Sequence, residues 1–271
     1  MAQPLLVLED VEKRFGGLRA IAGVSLEVPE RQIFGLIGPN GAGKTTLFNC
    51  ITGNYVPERG DVRFAGRSIR GQAPHRIALA GIGRTFQNVR LFTQMTVLEN
   101  VMVAAHHRTV AGVLGAMLRT KHYGDDERAL RGKALELLEI FELHGVCDEL
   151  AGSLPYGKQR RLEIARALML EPKLILLDEP AAGLNSREAD TLKTQIRWLR
   201  DRFALTIVLV EHNMQVVMGA CEQVLCMDHG ESIAYGTPEE IRNHPAVLAA
   251  YLGKDADTDA AADVAKPEPA R

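Results

Sequence analysis

A glycine-rich stretch at residues 38–46 constrains this chain more than any other part of its sequence. It reads Gly-Pro-Asn-Gly-Ala-Gly-Lys-Thr-Thr, and it lies between the apolar segment 33–37 and the largely apolar segment 47–51. This order predicts a strand, a loop and a helix, which is the context in which the pattern G-x-x-x-x-G-K-[ST] binds phosphate. The stretch therefore predicts a phosphate-binding loop, the P-loop.

Each residue type in this loop has a physical role in binding phosphate. Glycines let backbone N–H groups converge on phosphate oxygens, and the following helix adds free amides and its positive dipole end. Lys44 is expected to reach the β- and γ-phosphates, and the Thr45 hydroxyl is expected to ligate Mg²⁺. A chance glycine-rich turn is disfavoured because Lys44 and Thr45 stand in register between the right flanks. The predicted phosphate contacts are Gly38, Pro39, Asn40, Gly41, Ala42, Gly43, Lys44, Thr45 and Thr46.

Length and charge narrow the class of protein. The 271 residues, 46% of them hydrophobic, are enough for one large domain or two modest ones with a real core. The formal net charge of −2 provides no strong positive field, which argues against non-specific binding of nucleic acid.

The cysteine spacing and the lengths of the apolar runs indicate in which cellular compartment the protein is expected. Cys50, Cys147, Cys221 and Cys226 have spacings that match neither a zinc site nor a redox C-x-x-C motif, which predicts reduced, partly buried thiols in a cytosolic protein. The N-terminus lacks the pattern of a secretory signal, and no apolar run approaches the roughly 18 residues of a spanning helix. Any role at a membrane is therefore expected to go through a partner.

The first half of the chain shows strand patterns followed by helical ones. Segments 5–13 and 24–28 predict an antiparallel hairpin, and the pattern of residues 74–79 predicts a helix between short strands at 62–64 and 82–85. The capping box that starts at Thr96 begins a helical region, and a second helical pattern covers 128–143, with glycines 112, 115 and 124 marking loops or weak helix between them. We interpret this region as a helical insertion between two halves of a nucleotide-binding core.

The second half contains one all-apolar run and one largely apolar run that are typical of buried strands. One ends at Asp178-Glu179 and the other at Glu211-His212. A helix capped by Ser186 is expected to run to about residue 203, and a capping box starts at Thr237. Another helix is predicted at 159–170, and strands at 174–177, 206–210, 223–227 and 232–235. From residue 253 onward large apolar residues are almost absent, which predicts a disordered tail.

Carboxylates at strand ends suggest the chemistry. Asp178 is placed to hold Mg²⁺, and Glu179 could polarise a water for attack on a γ-phosphate. His212 follows another buried strand, where a neutral imidazole could contact that phosphate, although a single histidine there is more often structural. Phe15 precedes a Gly-Gly turn and is either a ring that stacks on a base or an ordinary core residue.

Together these residues resemble the ATP-binding subunits of ABC transporters. Beside the P-loop, Gln87 resembles the Q-loop glutamine, the segment Leu-Pro-Tyr-Gly-Lys-Gln-Arg-Arg at 154–161 stands in the place of the signature motif, and His212 in that of the switch histidine. Residues 174–179 resemble Walker B, and residues 182–185 resemble the D-loop. The similarity covers roughly residues 5–250 in family order.

The resemblance implies an α/β fold: a P-loop NTPase core with a mixed sheet flanked by helices, an antiparallel β subdomain and an inserted α-helical subdomain. It implies one ATP-binding domain at 5–252, with core segments 5–88 and 159–252, an insertion at about 89–158, and the tail 253–271. It implies ATP and Mg²⁺ as ligands. In the implied roles, Glu179, His212 and Gln87 are catalytic, Thr45, Gln87 and Asp178 hold the metal, and Phe15, Tyr156, Gly157 and Lys158 join the P-loop in binding nucleotide.

In this family two such domains meet head to tail, so that each ATP lies between one P-loop and the partner's signature helix. Four positions depart from the usual pattern: Pro155 and Tyr156 replace Ser and Gly in the signature, Asn185 replaces Asp in the D-loop, and Phe15 replaces Tyr. Gly157, the helix amides and Lys158 remain as possible contacts. We therefore expect this segment still to bind the γ-phosphate.

The finer pattern resembles the LivG-type ATPases of branched-chain amino acid importers. It implies pairing with a LivF-type ATPase or with a second copy of itself, two membrane permeases and, indirectly, a periplasmic binding protein, with no nucleic acid as partner. It places the chain peripherally at the cytoplasmic face of the bacterial inner membrane. The alternatives are an importer of urea or other amides, an exporter of a lipid-linked molecule, a soluble ABC-type ATPase acting on nucleic acid, and a small-molecule P-loop kinase.

Overall fold

The computed structural model describes residues 4–85, 89–105 and 121–251, with only the backbone given for residues 121–124 and 126. Glycines 112 and 115 and the tail 253–271 therefore lie outside the described residues. The chain forms two compact units, one of Met1–Pro74 with Glu179–Arg271 and one of His75–Asp178. We call them the first and the second unit.

An antiparallel sheet of four strands belongs to the first unit. In spatial order its strands are β2 (Leu18–Pro29), β1 (Pro4–Phe15), β4 (Arg59–Phe64) and β5 (Arg67–Ser68). The predicted hairpin is present but longer than expected, because pairing continues to the turn at Gly16, whose φ is +56°. Apolar residues of β1 such as Leu6, Leu8 and Val11 are fully buried.

A mixed set of strands forms the centre of the first unit. The strand β3 (Ile33–Ile37) is buried along its whole length and runs parallel to β8 (Thr206–Val210) on one side and β9 (Gln223–Asp228) on the other. The strand β10 (Glu231–Gly236) pairs with β9 in the antiparallel sense. The P-loop leaves the carboxyl end of β3, which is the edge where ligands bind in such sheets.

Helices of the first unit follow these strands. They are α1 (Lys44–Ile51), α6 (Ser186–Phe203), α7 (Met214–Ala220) and α8 (Pro238–Arg242), with a further helical stretch at residues 245–251. The prediction that Ser186 caps α6 is wrong. Asn185 is the N-cap, because its side chain accepts hydrogen bonds from the backbone N–H groups of Arg187 and Glu188. The capping box at Thr237 is confirmed.

The second unit is mainly helical. Its short strands β6 (Ile82–Arg84) and β7 (Leu174–Asp178) pair in parallel, with Ile82 opposite Leu174. The predicted capping box at Thr96 is present. One helix starts at Tyr156 rather than at residue 159, because the N–H groups of Lys158 and Gln159 already donate to the carbonyl oxygen of Pro155, its N-cap. The helices are α2 (Pro74–Ala80), α3 (Val97–Ala104), α4 (Lys121–Ile140) and α5 (Tyr156–Leu168), with 3₁₀ turns at His144–Val146 and Ala151–Ser153.

The predicted α/β fold class, with a mixed sheet, flanking helices and an antiparallel sheet, is confirmed. The bounds given above for the insertion, about 89–158, stay a prediction. All four cysteines are free thiols, three of them buried. Among the described residues, no helix has both the length and the apolar character that a bilayer crossing requires.

Candidate functional site

The backbone of the P-loop requires glycine at two points. Gly38 has a φ of +147°, and a Cβ there would lie 2.1 Å from the carbonyl oxygen of Met227. Gly43 has a φ of +102°, and a Cβ there would lie 2.5 Å from the carbonyl oxygen of Ala20. Both distances are shorter than real Cβ contacts, so the loop is held against its neighbours at a spacing that only glycine permits.

The inner side of the loop suits an anion. The Lys44 side chain is buried, and its Nζ donates to the carbonyl oxygens of Gly38 at 2.5 Å and Pro39 at 2.9 Å. Helix α1 begins at Lys44 behind Gly43, and no side chain of the described residues caps it. A buried ammonium group beside uncapped helix amides is an arrangement that fits a phosphate chain.

A cavity of about 470 Å³ opens over this loop, within the size range of small-molecule sites. The walls include the exposed hydroxyl-bearing Thr45 and the carboxylate of Glu179. The lining also contains residues that the sequence analysis missed, such as Arg19 and the turn residues His229 and Gly230, which lie between β9 and β10. From the predicted set it contains Phe15, Asn40, Gly41, Ala42, Gly43, Lys44, Thr45, Thr46 and Glu179, whereas Gly38 and Pro39 are buried behind it.

Phe15 lies at the mouth of this cavity rather than in the core. Its side chain is 42% exposed, and its ring meets that of Tyr55 edge to face at 5.1 Å. The Lys13 Nζ lies 5.4 Å from the ring centroid. An exposed, laterally supported ring can stack on a planar base.

Glu179 and His212 lie near each other at the carboxyl ends of strands. The His212 Nδ1 is 4.0 Å from the Glu179 Oε1. Glu179 has a φ of +46°, which is uncommon for a residue other than glycine, and its N–H donates to the carbonyl oxygen of Val210 at 2.9 Å. Strain of this kind concentrates at functional positions.

Asp178 belongs to the second unit and is nearly fully buried. Its Oδ2 accepts a charge-assisted hydrogen bond of 2.9 Å from the Arg84 Nη2. In the ranges that the structure describes, no cluster of three His, Cys, Asp or Glu side chains could hold a metal by itself. Magnesium in NTPases takes most of its ligands from phosphate and water, so an isolated carboxylate such as that of Asp178 is a donor of the kind this ion uses.

The residues from the signature segment open helix α5 in the second unit. Tyr156 is 55% exposed, and Gly157 has no atom within 4 Å of the position where a Cβ would stand. Lys158 is half-buried. The first turn of the helix is thus open toward the outside of its own unit. Gln87 lies outside the described residues.

Two family profiles match the chain. The profile described as ABC transporter matches residues 21–182, and the one described as branched-chain amino acid ATP-binding cassette transporter matches residues 231–257. This chain belongs to the ABC transporter ATPases. The first match spans the P-loop and the signature segment, and the second covers the C-terminal part of the first unit.

Relatives of similar length support the assignment. The chain is 46% identical over 254 residues to the high-affinity branched-chain amino acid transport ATP-binding protein BraF of Pseudomonas aeruginosa, covering 94% of this chain and 100% of BraF. It is also 46% identical, with the same coverage, to LivG of Salmonella typhimurium, which carries the same description. The resemblance to LivG-type ATPases is therefore confirmed.

Solved structures agree with the fold. The ADP conformation of MJ1267, an ATP-binding cassette of an ABC transporter, superposes with a TM-score of 0.80 at 32% identity, covering 93% of this chain and 100% of the other. A dimeric post-hydrolysis state of the cassette MJ0796, bound to ADP and phosphate, has a TM-score of 0.71 at 25% identity, covering 86% and 98%.

Proposed function

We propose that this chain is the ATP-hydrolysing subunit of an importer for branched-chain amino acids. The observation that carries the proposal is a cavity that combines a P-loop with the Glu179 carboxylate, in a chain 46% identical to BraF and LivG over nearly its whole length. The profile match at 231–257 supports the same cargo.

In the proposed site, the loop amides and Lys44 hold the phosphates of ATP, and Phe15 stacks on the base. The Thr45 hydroxyl, Asp178 and Gln87 are the proposed ligands of Mg²⁺, which neutralises charge on the phosphates when it is bound. Tyr156, Gly157 and Lys158 are proposed to contact the nucleotide held by a partner subunit, and the exposure of Tyr156 and Gly157 on the first turn of α5 supports this.

In the proposed reaction, the Glu179 carboxylate orients a water and accepts its proton as the water oxygen attacks the γ-phosphorus. The bond from that phosphorus to the bridging oxygen breaks, which leaves ADP and phosphate. We propose that His212 contacts the γ-phosphate and that Gln87 responds to the same group; the 4.0 Å between the His212 Nδ1 and the Glu179 Oε1 supports the role of His212.

We propose a head-to-tail dimer with a LivF-type ATPase or with a second copy, supported by the dimeric state of MJ0796. We also propose two membrane permeases as partners and, through them, a periplasmic binding protein. The helical insertion at about 89–158 would transmit closure of the dimer to the permeases. In such a complex the chain lies peripherally at the cytoplasmic face of the bacterial inner membrane.

The central experiment is Glu179→Gln in the assembled transporter. We expect ATP to bind with unchanged affinity and kcat for hydrolysis to fall by about 10²–10⁴-fold, because only the group that orients the water is lost. The matched control is Glu27→Gln, which makes the same chemical change on an exposed residue of β2. Near-normal hydrolysis by Glu179→Gln would refute the proposed site.

The cargo requires a separate test. The subunits that co-purify with this chain are reconstituted into proteoliposomes, and ATP-dependent accumulation of radiolabelled leucine, isoleucine and valine is compared with that of urea. Accumulation of the amino acids supports the proposal. Selective accumulation of urea, or ATP-driven extraction of a lipid with neither solute moved, would assign the chain to one of the alternative transporters.

A further inference from the structure

A buried glutamate that has no role in the proposed reaction is hydrogen-bonded to the two loops that carry Glu179 and His212. Glu211 directly follows strand β8 and is fully buried. Its Oε1 accepts a hydrogen bond of 2.6 Å from the N–H of Ala181. Its Oε2 accepts bonds of 3.1 and 3.2 Å from the N–H groups of His212 and Asn213. Each carboxylate oxygen therefore holds a different loop.

The first of these loops carries Glu179. Ala181 lies two residues after Glu179, and the turn between them closes with a hydrogen bond of 3.1 Å from the Ala182 N–H to the Glu179 carbonyl oxygen. The Glu179 N–H is also bonded to Val210, the residue before Glu211. Because Glu179 has a positive φ, its conformation persists only where its surroundings fix it, and the two bonds at the end of β8 do so.

The second loop carries His212. Its N–H and that of Asn213 both point at the Glu211 Oε2, which fixes the backbone where the imidazole starts. Asn213 then caps helix α7 through its own side chain. A single carboxylate thus sets the separation between the loop that carries Glu179 and the loop that carries His212.

Only a carboxylate can make this set of bonds. All three donors are N–H groups, and an ionised carboxylate is acceptor-only at both oxygens. In a glutamine, one of the two positions becomes an NH₂ group that faces an N–H donor. Burial raises the pKa of Glu211 above its usual value, and the bonds from Ala181, Asn213 and His212 offset only part of that rise.

We propose that Glu211 is a positioning residue that holds Glu179 and His212 in the geometry for hydrolysis by tying both loops to one side chain. This inference rests on the proposed function, since it assumes that Glu179 and His212 act on the γ-phosphate. The inference predicts that replacing Glu211 lowers the rate of ATP hydrolysis but leaves nucleotide binding unchanged.

The test is steady-state ATP hydrolysis by the assembled transporter with Glu211→Gln. We expect kcat to fall about 10- to 100-fold, since small displacements of a catalytic group have effects of this size, and KM for ATP to stay within about twofold. The matched control is Glu222→Gln. Glu222 also accepts a backbone N–H, that of Ile33 at 2.5 Å, and pairs with Arg200, but lies outside the cavity.

A merely structural role predicts that both variants lose thermal stability and kcat in the same proportion, and that result would overturn the proposal. A further readout combines Glu211→Gln with Glu179→Gln. If Glu211 acts through Glu179, its replacement lowers the residual rate of Glu179→Gln little, whereas independent effects multiply. Multiplication of the two effects would contradict the inference.

If Glu211→Gln does not fold, the same hydrolysis assay is made on Glu211→Asp. This variant keeps the negative charge, but its side chain is too short to reach both loops. The same fall in kcat supports the proposal, and wild-type kcat overturns it. The two hypotheses fail differently. Normal hydrolysis by Glu179→Gln removes the proposed function, whereas an inactive Glu179→Gln with fully active Glu211 variants removes only the inference.

Discussion

Replacing Tyr251 by phenylalanine should destabilise the first unit through the loss of one hydrogen bond. The backbone N–H of Gly38, the first residue of the P-loop, donates to the Tyr251 hydroxyl oxygen at 3.0 Å. Gly38 is buried and Tyr251 is half-buried in the helical stretch 245–251. The substitution keeps the ring and removes only the hydroxyl, so the Gly38 N–H loses this acceptor.

The size of the effect follows from the burial of the amide. A neutral hydrogen bond contributes about 0.5–1.5 kcal/mol net, and a buried donor left unsatisfied costs about 1–3 kcal/mol. We therefore expect the free energy of unfolding to fall by about 1–2 kcal/mol. For a domain of this size each kcal/mol lowers the melting temperature by about 2–4 °C, so a fall of about 2–8 °C is expected.

The assay is thermal unfolding of the purified chain without nucleotide, compared with Tyr235→Phe. Tyr235 is 55% exposed, and its ring packs at 6.0 Å from that of Phe34 without a hydrogen bond from its hydroxyl to any described residue. The control should therefore melt within about 2 °C of the wild type, the range expected for a surface change. Equal melting temperatures for Tyr251→Phe and the wild type would refute the reasoning.

The same residue predicts a pH dependence. Burial raises the pKa of Tyr251 to about 12, against about 10 in the unfolded chain. The unfolded chain therefore releases this proton first as the pH rises, so the contribution of Tyr251 to stability is complete below pH 10 and is lost between pH 10 and 12. Tyr251→Phe should lack this component of the alkaline decline, as denaturant titrations at several pH values can measure.

Other regions give shorter predictions. Gly43→Ala should weaken ATP binding at least tenfold in equilibrium titrations, because its Cβ would lie 2.5 Å from the Ala20 carbonyl oxygen. Unchanged affinity would contradict the requirement for glycine at this close approach. Asn185→Ala should lower the free energy of unfolding by about 1 kcal/mol in denaturant titrations, since two helix N–H groups lose their cap. Burial raises the pKa of Cys50 to about 11 and that of Cys226 to about 12, so both thiols should react with a thiol reagent at pH 8 only after unfolding; rapid labelling of the native protein would argue against their burial.

Elements with a strong local pattern were predictable. The largely β-branched, mostly apolar run 206–210 became β8 with the same bounds, and the capping boxes at Thr96 and Thr237 formed as expected. Prediction failed where neighbouring residues compete for one role. Asn185 and Ser186 are both good N-caps, and the choice depended on which backbone position first left the helix, which sequence alone does not specify.

The site was predictable to the extent that it is local. The P-loop uses its own glycines and the helix that follows, so the pattern at 38–46 was enough to locate the cavity. Arg19, His229 and Gly230 line the same cavity but carry no motif of their own. The only available signal was a turn between the strand patterns at 223–227 and 232–235, and turns are too common to indicate a ligand site.

The sequence by itself determined the phosphate loop, the buried strands and the helix caps, because each depends on residues within a few positions of one another. The tertiary structure alone decided the partners of Glu211 and Tyr251. The Tyr251 hydroxyl meets the amide of a residue 213 positions away, and the Glu211 carboxylate reaches a loop 30 positions earlier. A buried polar atom bonds to whichever donors the packed strands bring within about 3 Å, and that choice exists only after the chain has folded.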